Sequence, residues 1–113
     1  MPHITGPKEA RGAVDEIGDV ETKFHSYSTR WKEEIGGVSS LSQITSNRHY
    51  LRVIALGPNV IPCILKSLQQ EPAPWFAALR ALSGRDDIGR EHAGNFRKIA
   101  DAWIEWGRQE GYV

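Results

Sequence analysis

The apolar residues Val20, Phe24, Tyr27, Trp31 and Ile35 follow one another at intervals of 4, 3, 4 and 4. Only an α-helix, at about 3.6 residues per turn, sets all five on one face. Glu21, Lys23, Arg30 and Lys32 fall on the opposite face, and Gly36-Gly37 ends the run. A stripe that rich in aromatic side chains must be covered, so the rest of the chain has to supply an apolar counter-surface.

The remaining sequence supplies it in short helical pieces. After a serine-rich connection (Ser39 to Ser46, with room for one turn around Leu41 and Ile44), Ser46 or Asn47 caps a second helix with apolar positions Tyr50, Leu51, Val53, Ile54 and Leu56. Gly57-Pro58 stops it. Proline is tolerated only in the first turn of a helix, so Pro62 requires the third helix to begin near Asn59. Its buried stripe is then Ile61, Ile64, Leu65 and Leu68, and Pro72 closes it. A fourth helix starts near Ala73 or Pro74 and runs through Trp75, Phe76, Leu79 and Leu82 to Gly84. Beyond the charged loop from Arg85 to Glu91, the last helix carries Phe96, Ile99, Ala100, Trp103 and Ile104 on one side and ends at Gly111. No segment alternates as a strand does. The expected fold is all-α: a compact bundle of about five helices over residues 20–113. Its short connections favour antiparallel neighbours, and Leu56-Gly57…Ile61-Pro62…Leu65…Leu68 reads as a HEAT-like helical hairpin.

Residues 1–19 contain Pro2, Gly6, Pro7, Gly12 and Gly18 and read as a mobile or loosely attached arm, the alternative being a short helix docked through Ala13, Val14 and Ile17. Composition bounds the rest. At 113 residues, 40% of them hydrophobic, the chain can build one core but not two. One cysteine excludes an internal disulfide and an all-cysteine zinc site, and fits a reducing, cytoplasmic setting. No apolar run approaches the roughly 20 residues of a membrane span, and no signal peptide is expected.

The phrases Tyr50…Ile54…Leu56-Gly57…Ile61-Pro62-Cys63-Ile64-Leu65, then Pro74-Trp75-Phe76-Ala77-Ala78-Leu79-Arg80-Ala81-Leu82-Ser83-Gly84, then Trp103-Ile104-Glu105-Trp106-Gly107…Gly111-Tyr112 resemble those of an uncharacterised family of short bacterial helical proteins. Ser83 stands where that family usually has threonine, and His49 where it often has proline. The resemblance covers roughly the last 80 residues. It implies a small accessory partner of the kind encoded among mobile-element, defence and toxin–antitoxin-like genes, and it brings no catalytic residues.

The chemistry-bearing residues form few constellations. Glu21 and His25 share a helix face, but a zinc site needs three or four converging ligands. Cys63 sits at a helix start, where a thiol can be activated, yet a cysteine on an apolar helix is usually a small buried hydrophobe. Asp86, Asp87, Glu91 and His92 are the densest polar cluster and would centre a small hydrolase-like enzyme; acidic residues ahead of a helix also arise on dipole grounds alone. No metal, cofactor or catalytic residue is assigned.

Net charge is zero, which argues against binding by bulk electrostatic attraction, but charge is unevenly spread. Gly36 to Arg85 holds five basic residues and one acidic. Arg48 and Arg52 share a helix face there and are the candidate contacts for nucleic acid, expected to be weak or absent at physiological salt. Tryptophan, tyrosine and arginine dominate protein interfaces, so Trp75, Arg80, Trp106 and Tyr112 are the candidate partner-binding residues. They gather at one end of the bundle if the last two helices run antiparallel. The reading favoured by the sequence is a non-enzymatic helical protein–protein interaction module, of antitoxin, immunity or accessory type. Its partner would be another protein, such as the product of an adjacent gene, with no membrane involved. A nucleic-acid-associated protein is the first alternative.

Overall fold

The stripe that begins at Val20 belongs to a helix that spans Thr5–Ile35 (α1). In the computed structural model, residues 5–113 are described, with side chains from Gly18 onward. The helix therefore opens before its apolar pattern does, because the pattern marks where a helix is covered and not where its backbone starts. The arm expected over residues 1–19, and docking through Ala13, Val14 and Ile17, fall almost wholly outside the described side chains. Then come α2 (Leu41–Thr45), α3 (Arg48–Ala55), α4 (Ile61–Gln70), α5 (Phe76–Ser83) and α6 (Phe96–Glu110), with no strand among the described residues. The all-α bundle stands. The sixth helix is the single turn α2, capped by the Ser40 hydroxyl on Gln43 N.

Local chemistry sets the joints. Asn47 caps α3, its Oδ1 accepting from His49 N at 2.8 Å, and Asn95 caps α6, its Oδ1 accepting from Lys98 N at 3.1 Å. Gly57, at φ 86°, leads into a 3-10 turn over Pro58–Val60 that delivers Pro62 into the first turn of α4. Across this joint the α3 and α4 axes are bent by 105°, so the chain does not fold straight back as a short antiparallel connection would. Consequently α3 packs against α1 and α5, while α4 packs against α6.

The start of α5 is capped from a distance. No side chain of its own N-cap residue, Trp75, bonds to the helix. Instead the Tyr50 phenol of α3 accepts from Ala78 N at 2.9 Å and donates to the Pro74 carbonyl at 3.1 Å. Ala78 is the third residue of α5, the one whose free N–H a capping side chain ordinarily takes. The helix therefore starts at Phe76, two residues later than its proline suggests, because the phenol fixes the last free turn at Pro74. Burial pushes the phenol up to about 12, so it stays a neutral hydroxyl that can donate and accept together.

Around that hydroxyl four rings close the core. Tyr50 stacks on Trp75 at 5.3 Å between centroids, Trp31 lies 4.5 Å from Trp75 and 5.1 Å from Tyr50, and Phe24 lies 5.4 Å from Trp75. The Trp31 indole donates to the Ile44 carbonyl at 2.9 Å and so ties α2 to α1. The indole N–H groups of Trp75, Trp103 and Trp106 meet no acceptor. Each unmet donor costs about 1–3 kcal/mol. Burying about 150–250 Å² of ring at about 25 cal/mol/Å² returns about 4–6 kcal/mol, so burial wins.

The second seam lies between α4 and α6. A Cβ at Gly107 would collide with the Leu65 side chain, which is fully buried and has nowhere to go. This glycine sets how closely the two helices approach. Two sequence assignments are corrected here. Leu51 is half-exposed and not part of the α3 stripe, because one residue past Tyr50 the helix has turned about 100° away from α5. Phe96 is 40% exposed and pairs at 4.9 Å with Phe76 rather than entering the core.

Tyr50→Phe is expected to cost about 1–3 kcal/mol in urea unfolding, since it leaves the Ala78 N–H buried without an acceptor while removing no ring contact. Gly107→Ala is expected to destabilise by about 1–3 kcal/mol through overpacking, despite alanine's better helix propensity of about 1 kcal/mol. An unchanged midpoint in either variant contradicts the corresponding contact.

Candidate partner interface

Helix α3 is amphipathic over only eight residues: His49, Tyr50 and Val53 face inward, and Arg48, Leu51, Arg52 and Ala55 face solvent. The inward face is held from both sides. On the α5 side stands the Tyr50 phenol. On the α1 side, the Glu34 carboxylate accepts from three successive residues, Asn47 Nδ2 at 3.0 Å, Arg48 Nη2 at 3.0 Å and His49 Nε2 at 3.2 Å. A carboxylate oxygen only accepts, so Nε2 of His49 carries a proton, while the buried Nδ1 meets no partner. The Asn47 amide, then the Arg48 guanidinium, hold the Glu34 carboxyl down at about 2. Nothing in the sequence connects Glu34 to the cap of a helix fourteen residues away, since each looks locally like an ordinary solvated residue.

The outward strip has a distinct composition. Leu51 is 50% exposed, flanked by Arg48 and Arg52 one turn apart. Arg48 spends one N–H on Glu34 and keeps most of its side chain in solvent. Arg52 is exposed and meets no carboxylate among the described residues. Arg80 of α5 is exposed too, and near enough to the Tyr50 phenol to act on it through space. Neither α3 nor α5 contains an acidic residue, and Glu71, the one carboxylate between Gly36 and Arg85, is engaged by Lys32 at 2.9 Å.

The aromatic partner cluster expected from the sequence does not assemble. Trp75 is fully buried in the four-ring core, and Trp106 is buried against Trp103 at 5.3 Å and Tyr112 at 5.5 Å. The Phe76–Phe96 contact puts the first turns of α5 and α6 together. Trp106, ten residues further on, then lies about 15 Å along α6 at its other end. Of the four candidates, Arg80 is exposed and Tyr112 partly so.

The polar candidates separate as well. Arg85 donates twice to Asp87, at 2.9 and 2.8 Å, and holds its carboxyl at about 2. Asp86 faces Arg90 at 3.4 Å, and His92 lines a different groove between Pro72 and α6. Cys63 lies half-buried in a groove of about 720 Å³ between α1 and α4, with Glu21, His25 and Tyr112 on its walls. Burial first, and the Glu21 charge next, push its thiol up, away from the thiolate that nucleophilic chemistry uses. No cluster of three metal-ligating side chains occurs among the described residues, and no described helix is long and apolar enough on its own to cross a membrane.

Compared with family models, with curated proteins and with solved structures, the chain finds no match in any of the three.

The Glu34 carboxyl, ordinarily near 4.5, is lowered in the fold. Its contribution to stability is therefore fully present above about pH 4.5 and lost as pH falls toward about 2. Urea midpoints followed from neutral pH into this window should fall less steeply for Glu34→Gln than for the parent. Asp87 and Glu71 keep their own acid sensitivity in both proteins, so the difference isolates Glu34.

Proposed function

We propose that this chain is a non-enzymatic helical interaction module, an accessory partner of antitoxin or immunity type in a small bacterial operon. The observation that carries the reading is the outward strip of α3, where a half-exposed leucine stands between two arginines while the inward face of that helix is held by α1 and α5. A large aliphatic side chain left in water amid cations, on a rigidly held helix, suits a surface that another protein covers. The chemistry-bearing groups support a non-catalytic role through what they already do. Glu34, Asp87 and Asp86 are spent on ion pairs, and the half-buried Cys63 thiol is held protonated, as a cytoplasmic structural cysteine would be.

Affinity-tagged full chain, expressed in its native host at its own level, is expected to co-purify one protein in near-stoichiometric amount. Leu51→Glu should lose that protein while its thermal melt stays within a few degrees of the parent, because residue 51 touches solvent. A full chain that retains no protein at any ionic strength contradicts the module reading.

A further inference from the structure

The α3 strip has a chemistry that narrows what can cover it. Arg48, Leu51, Arg52 and Ala55 occupy positions i, i+3, i+4 and i+7, so they form one ridge of two turns on the outward face. The ridge carries charge of one sign only. Its nearest carboxylate, Glu34, is already shared by Asn47, Arg48 and His49 and offers nothing to a newcomer. Arg52 and Arg80 have no acidic partner among the described residues. At the end of the ridge Ala55 is exposed and small, which lets another backbone come close.

Resting on the module reading above, we propose that this ridge docks an acidic amphipathic helix of another protein, with an apolar residue of that helix seated against Leu51 and Ala55 and its carboxylates reaching Arg52 and Arg48. Three features decide for such a helix over a nucleic-acid backbone. The centre of the ridge is a leucine, which a phosphate cannot satisfy but an aliphatic side chain can. One of the two α3 arginines is already half-neutralised by Glu34, leaving too few free cations in line for the several phosphate contacts that give nucleic-acid binding its strength. The chain's zero net charge adds no long-range attraction to a polyanion. Ridge spacing of i, i+3, i+4 and i+7 is also the spacing by which one helix meets another.

The test uses the purified full chain with the photo-cross-linker p-benzoylphenylalanine in place of Leu51, irradiated in extract of the native host. A control protein carries the cross-linker in place of Arg97, exposed on α6. The expected result is an adduct at position 51 to a protein segment rich in Asp and Glu with helical apolar spacing. Adding Arg52→Glu to the position-51 probe should cut its yield by about tenfold, and raising the salt should weaken it. The parent melt in each variant shows that folding is intact. Adducts at position 97 alone would overturn the ridge as the docking site while leaving the module reading in place. An adduct at position 51 to nucleic acid, to a second copy of this chain or to a basic or neutral segment would overturn the acidic-helix partner. No adduct at either position would count against both.

Discussion

The Tyr50 phenol is the contact on which the other packing relations depend. It stands where α1, α3 and α5 converge, and it supplies the missing cap of α5 across 28 residues of sequence. Because the same ring stacks on Trp75 and meets Trp31, the hydroxyl can reach Ala78 N only when all three helices are in register. A helix of eight residues such as α5 is too short to persist in water by itself. Its first turn borrows the rigidity of α3, and α3 in turn is clamped to α1 through Glu34.

The molecule thus has two seams of different character. Between α1, α3 and α5 the fit is aromatic and polar, with one phenol that accepts from Ala78 N and donates to the Pro74 carbonyl, and one carboxylate that serves three side-chain donors. Between α4 and α6 it is a matter of steric approach, where Leu65 fills the notch left by Gly107. The bend of 105° after α3 joins the two by sending α4 away from its predecessor and toward α6. Leu51 stays in water as a by-product of this division: α3 packs inward on α1, α2 and α5, and its outward face meets no covering element among the described residues.

Much of this was legible in the sequence. The spacing of Val20, Phe24, Tyr27, Trp31 and Ile35, the stops at Gly57 and Gly84, and the place of Pro62 near a helix start all follow from backbone geometry and burial, which act over a few residues. What was not legible depends on distant partners. Trp75 looked free for binding because tryptophan is an interface-rich residue type, and only the arrival of Tyr50, Trp31 and Phe24 from elsewhere buries it. Leu51 looked like core because it is a leucine beside a core tyrosine, although the helical turn between them already hinted otherwise. The Glu34 clasp had no local signature at all. Arg48 and Arg52 do share a face as their spacing requires, and Leu51, three residues after Arg48, shares it with them.

The four tryptophans are all buried, two of them in ring contact with each other beside Tyr50 and Trp103 edge-on to Trp106. Fluorescence from such indoles is governed by the interior of the protein rather than by its surface. The chain accordingly carries an intrinsic optical gauge of its own packing that is deaf to whatever settles on α3. Emission should shift when the helices part and stay constant when a ligand docks, so the two events can be read separately in one cuvette.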